Sequence, residues 1–138
     1  MEIWDAGPFE NDMAAEFAGD LDENDPAERE IMLREALQAA VDAEDEVPLD
    51  VALRAIAAAA VVAATRPGGP PIESDFGPEF LRDSRETPPE LPDDVVALAR
   101  DALDRVVGPD SAWRAYWEET DGLKEALAVV DVLRDGLS

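Results

Sequence analysis

Ten consecutive apolar residues, 55–64, lie inside a segment that begins at Pro48 and is stopped by Pro67-Gly68-Gly69-Pro70-Pro71. Read as a helix continuing to about Arg66, the segment is apolar on every side through this run. A helix of that kind is buried only when other helices surround it. The run is mostly alanine, so neighbouring helices can approach it closely. It is also half the ~20 residues that a membrane span requires. The run therefore asks for a central helix inside a helical protein.

The flanking sequence supplies the surrounding helices. Helical periodicity recurs along the chain, and strand alternation does not. Ala14, Phe17, Ala18 and Leu21 fall at i, i+3, i+4 and i+7, one stripe of a first helix. Asp25-Pro26 starts a second, with an N-cap followed by proline at the first helical position. Its face is Leu33, Ala36, Leu37 and Ala40, and it runs to about Ala43. Pro92-Asp93-Asp94 opens a fourth, its acids favourable at the positive end of the helix dipole. Val96, Ala99, Ala102, Leu103 and Val106 make its stripe, and Gly108-Pro109 ends it. A short helix over about 110–119 presents Trp113, Tyr116 and Trp117. Asp121-Gly122 then begins the last, with Leu123, Ala126, Leu127, Val130, Leu133 and Leu137 on one face.

Residues 67–92 differ in kind, holding seven of the eleven prolines without a sustained period. They read as a long connector with at most a short helical turn around 78–83, where Phe76, Phe80 and Leu81 are placed to pin it to the core. The expected fold is all-α: a single domain over 1–138, a bundle of about five or six helices with this proline-rich connector within it. A chain of 138 residues has room for one real core.

Charge and missing side chains narrow the function. Thirty-four acids face 11 bases for a formal net charge of −23, and Lys124 is the only lysine. Free nucleic acid and anionic membranes would be repelled, because binding them depends on Lys and Arg neutralising phosphates. A basic protein partner, cations, mimicry of a nucleic-acid backbone, or simply a solubility surface suited to high salt remain open. The chain has neither cysteine nor histidine. Disulfides, thiolate or imidazole catalysis, and nearly every usual transition-metal site are thereby removed. No catalytic residue, cofactor or metal ligand is assigned. Nothing at the N-terminus resembles a signal peptide, so the expected location is cytoplasmic.

The most specific stretch is the opening, Trp4-Asp-Ala-Gly7-Pro8-Phe9-Glu-Asn11-Asp12 through Phe17. The residue before a proline is pushed out of the helical region, and glycine takes such a turn without strain. Phe9 leaves the turn placed to fold back on the first helical turn as a hydrophobic staple. Asn11 or Asp12 can cap the helix, and the remaining acid with Glu16 adds favourable charge near its start. Trp4, Phe9 and Phe17 are expected in one aromatic cluster. The alternative is a recognition patch of Asn11, Asp12 and Glu16 near Trp4.

Trp4, Gly7-Pro8-Phe9, Asn11-Asp12, Ala14 and Phe17 resemble the signature of a mostly bacterial family, domain-of-unknown-function family 4259. Its members open W-G-x-G-P-F-x-N-D-x-A-x-D-[FW]. This chain departs at Asp5 and Glu16, where the family usually has glycine and aspartate. Ser111, Trp117 and Glu119 resemble a weaker, C-terminal part of the pattern. The resemblance implies a small helical domain and no activity.

An enzyme or divalent-metal reading would have to use carboxylates alone. Asp12, Glu16 and Asp20 are spaced i, i+4 and i+8, and Glu44, Asp45 and Glu46 cluster at a helix end; such groups could hold Mg²⁺ or Ca²⁺. Acid-rich chains produce such spacings by coincidence. Nucleic-acid mimicry would be confined to the N-terminal half, because Arg100, Arg105, Arg114 and Arg134 interrupt the C-terminal helices. Residues 1–30 hold eleven acids and one base. The favoured expectation is a non-enzymatic protein-binding domain, an immunity- or inhibitor-type protein against a basic effector. Its candidate residues are Trp4, Gly7, Pro8, Phe9, Asn11, Asp12, Glu16 and Trp117.

Overall fold

Placing an all-round apolar helix in the middle leaves its neighbours amphipathic, and that is how the chain is arranged. The computed structural model describes residues 3, 7–66, 72, 77–78 and 91–137. These form α1 (Asp12–Asp22), α2 (Pro26–Val41), α3 (Leu49–Thr65), α4 (Asp93–Val107), α5 (Ala112–Glu119) and α6 (Leu123–Gly136). Among the described residues there is no strand, only two isolated bridge pairs, Ile3 with Asn11 and Val47 with Ser111. None of the helices described is long and apolar enough to cross a membrane.

The third helix is the hub, packing against all five others. Residues 55–63 are buried without interruption, and Ala64 emerges part-way. The first two turns of α3 reach the surface at Leu49, Asp50, Val51 and Arg54, and its last two residues, Ala64 and Thr65, are partly exposed. The stripes of the outer helices turn inward as their spacing requires. Ala14, Phe17, Ala18 and Leu21 of α1 are all buried. On α2 Leu33, Leu37 and Ala40 are buried while Ala36 is half-exposed. On α4 the whole stripe is buried and Val95 joins it. On α6 Ala126, Val130 and Leu133 are buried, Leu137 beyond its end is buried too, and Leu123 and Leu127 pack on the core from its edge.

Helix ends follow local chemistry. Asp25 Oδ1 accepts from the Glu28 amide at 2.9 Å, with Pro26 at the first helical position. Prolines 48 and 92 occupy the N-cap positions of α3 and α4, one residue before each helix begins. The second helix ends at Val41, two residues short of the expected Ala43, and the freed segment serves another purpose. Fully buried Val47 bridges to the start of α5: its amide donates to Asp110 O at 3.0 Å, and its carbonyl accepts from Ala112 at 2.9 Å. The Arg105 guanidinium holds the same loop, donating to the carbonyls of Ala43, Asp45 and Asp110. Glu44, Asp45 and Glu46 are exposed on this loop.

Of the proline-rich connector, the described residues are Ile72, Gly77, Pro78, Leu91 and Pro92. Pro78 is fully buried, and Ile72 and Leu91 pack against the core. The expected turn at 78–83, with Phe76, Phe80 and Leu81, lies otherwise outside the described residues.

Candidate interaction face

The opening segment forms a turn and a cap. The Glu10 amide donates to Gly7 O at 3.1 Å, and Ile3 pairs with Asn11 across the turn. Phe9 points inward and is 1% exposed. Asn11, not Asp12, is the cap: its backbone is extended, and its Oδ1 accepts from the Ala14 amide at 2.8 Å while the residue is 2% exposed. Asp12 is the first residue of α1, exposed and near the positive end of the dipole. Gly7 does not need a left-handed backbone, and an added Cβ would meet only the Glu10 side chain, at 2.8 Å. Trp4, and with it the expected aromatic cluster, lies outside the described residues.

Trp117, on α5, comes to the same place from far along the sequence. Ile3, Gly7, Pro8, Asn11, Leu53, Ile56, Trp113 and Trp117 line a space of about 10 Å³. Trp113 is buried, Tyr116 and Trp117 are partly exposed, and the last two rings meet edge-to-face at 5.1 Å. Among the described residues, Trp117 Nε1 and Ser111 Oγ are buried without a partner. The C-terminus of α5 is fixed tightly beneath the Trp117 ring. Asp121 takes a left-handed φ of 61°, and the Gly122 amide reaches back to Trp117 O at 3.1 Å, the closing bond of a Schellman turn. Here glycine is demanded by space: a Cβ at Gly122 would lie 2.6 Å from the Trp117 ring.

The family described as Domain of unknown function (DUF4259) matches residues 2–128. The chain belongs to this family. No curated protein and no solved structure matches it. In this DUF4259 domain, the signature residues Phe9, Asn11, Ala14 and Phe17 are therefore found packed or capping, while Asp12 and Glu16 face outward.

Glu16 belongs to a second region that the sequence did not assemble. Met13, Glu16, Phe17 and Asp20 of α1, Met32, Glu35, Ala36 and Ala39 of α2, and Val51 and Arg54 of α3 line an open groove of about 260 Å³. On α1 and on α2 the lining positions run i, i+3, i+4, i+7, so each helix contributes one face. Both helices rest on α3, whose exposed first turns form the floor. The turn joining α1 to α2 is tied off by its own side chains. Arg29 Nε donates to Leu21 O at 2.7 Å and Asn24 Nδ2 to Asp20 O at 2.7 Å, satisfying carbonyls at the end of α1.

Surface pairs join Arg34 to Glu30 and Asp94, Arg114 to Glu118, and Arg134 to Asp104. The hydrogen bond from Arg34 holds the Asp94 carboxyl below the ordinary carboxylate range, and the same bond raises Arg34. No such pair among the described residues joins Glu16, Asp20 or Glu35 to Arg54. Asp12, Glu16 and Asp20 are exposed, and no three carboxylates among the described residues gather as a metal cluster.

Proposed function

We propose that this DUF4259 domain is a non-enzymatic binding module that engages a basic partner protein through its N-terminal end, in the manner of an immunity or inhibitor protein of the cytoplasm. One observation carries the reading. Asp12, Glu16, Asp20, Glu23, Asp25 and Glu28 are exposed, whereas Arg29, the sole base of the first thirty residues, is half-buried and donates to the end of α1. With eleven acids to one base over residues 1–30, the field at this end is strongly negative. Fields of this kind raise association rates with oppositely charged partners and exclude like-charged ones.

The side-chain inventory supports action by contact rather than by transformation, since neither imidazole nor thiol is present. The test is retention of native proteins on immobilised full-length chain. A defined basic protein should bind at about 0.01 M salt, where the Debye length is roughly 30 Å, and weaken near 0.15 M, where it is roughly 8 Å. Failure to retain any basic protein at the lower salt would contradict the reading.

A further inference from the structure

The groove between α1, α2 and α3 interleaves apolar side chains with charged ones, and among the described residues no ion pair joins its acids to Arg54. Met13, Phe17 and Met32 are its largest apolar side chains, and Glu16, Asp20 and Glu35 stand exposed along it. Methionine adapts its shape to whatever lies against it. At about 260 Å³ and open to solvent, the groove is smaller than the roughly 300–1,000 Å³ clefts that enclose small organic ligands. It has the character of a seat for a few side chains presented by something larger.

We propose that this groove receives one amphipathic, basic α-helix of the partner protein. Apolar side chains on one face of that helix enter between Met13, Phe17 and Met32. Lys or Arg side chains flanking them meet Glu16, Asp20 and Glu35. This rests on the binding reading above and names the site and the partner's chemistry. The walls are themselves helices contributing residues at i, i+3, i+4 and i+7, which is the spacing a docked helix uses for its anchors. An added β-strand would need a sheet edge, and the described residues contain no strand.

Charge complementarity selects the occupant. A second copy of the chain brings another net charge of −23. Its large exposed apolar residues among those described, Ile31 and Val132, are next in sequence to Glu30 and Asp131. Among the described residues Arg54 is the single cation of the groove, and it lies on the α3 floor. It meets an acidic residue on the partner helix and so sets that helix's direction.

Fluorescence anisotropy tests this on the full chain with a defined probe. The probe is a labelled Leu/Lys peptide of about 18 residues, five helical turns, with leucine at i, i+3, i+4 and i+7 and lysine elsewhere. A scrambled peptide of the same composition is the control. The amphipathic order should bind at least about tenfold more tightly than the scramble. Glu16→Gln with Asp20→Asn should weaken both peptides. Ala39→Trp should fill the groove and abolish the difference between them, with the thermal midpoint kept. Arg54→Gln should tighten the acid-free probe.

Equal, salt-sensitive binding of both peptides would overturn the groove while leaving the acidic-face reading intact. No binding of either peptide at low salt would overturn both. Self-association on sedimentation that Ala39→Trp abolishes would make a second copy the occupant and also overturn the proposal.

Discussion

On one side of α1, around its N-cap, Phe9 and Asn11 are buried and the space reaching Pro8, Trp113 and Trp117 has closed to about 10 Å³. On another side, the same helix borders a groove of about 260 Å³ lined with exposed carboxylates. The closed region holds most of the family signature and joins the N-terminal turn to α5. The groove shares only Glu16 and Phe17 with that signature. The contrast separates two tasks that the sequence pattern runs together. Most signature residues here hold α1 in place, and the surface left over on α1 and α2 is where a partner can be recognised.

Breaking the closed region should cost stability in proportion to what it packs. Phe9→Ala removes a fully buried ring, and a loss of about 3–5 kcal/mol is expected in urea unfolding. Gly122→Ala drives a methyl into the Trp117 ring, 2.6 Å away; overpacking of this kind costs about 1–3 kcal/mol. Gly7→Ala is the matched control, because only the Glu10 side chain must move. Its effect should be clearly smaller than that of Gly122→Ala, and equal losses would show that the N-terminal turn is packed more tightly than described. Asn11→Ala leaves the buried Ala14 amide without its acceptor and should cost about 0.5–2 kcal/mol.

The smallest effect belongs to the surface pair of Arg34 and Asp94, which lies outside both regions and marks the baseline. Asp94 is held below its ordinary range by Arg34. Its contribution to stability is therefore complete above the unfolded carboxylate value of about 4 and disappears as pH falls through the lower folded value. The melting midpoint of the native chain should slightly exceed that of Asp94→Asn at neutral pH, with the gap closing in acid. A gap that widened in acid would contradict the pairing. Being exposed, such a pair contributes little.

Much of this fold was legible because it depends on local periodicity. The run at 55–64 could be satisfied only by enclosure, and α3 is enclosed; the i, i+3, i+4, i+7 stripe of α1 is buried residue for residue. The choice between Asn11 and Asp12 as cap needed the backbone, since either carries a suitable oxygen. Val47 and Arg105 show what local reasoning misses. Val47 pairs with Ser111 and Arg105 with Asp45 O, each about sixty residues away in sequence, across a loop with no periodic signal. The groove was hidden for a similar reason: Glu16 and Asp20 carry the right spacing, but the lining they share with Met32 and Glu35 exists only because α1 and α2 both rest on α3.

The division between a holding region and a recognising region is tested most directly by measuring melting midpoint and peptide affinity side by side in two variants. Asn11→Ala should melt lower yet bind the amphipathic Leu/Lys peptide as tightly as the native chain at a temperature where both are folded. Glu16→Gln with Asp20→Asn should melt no lower than the native chain, as like-charge repulsion is relieved, and bind about tenfold more weakly. If Asn11→Ala lost the peptide while the double variant kept it, recognition would reside at the signature turn and the division would be wrong.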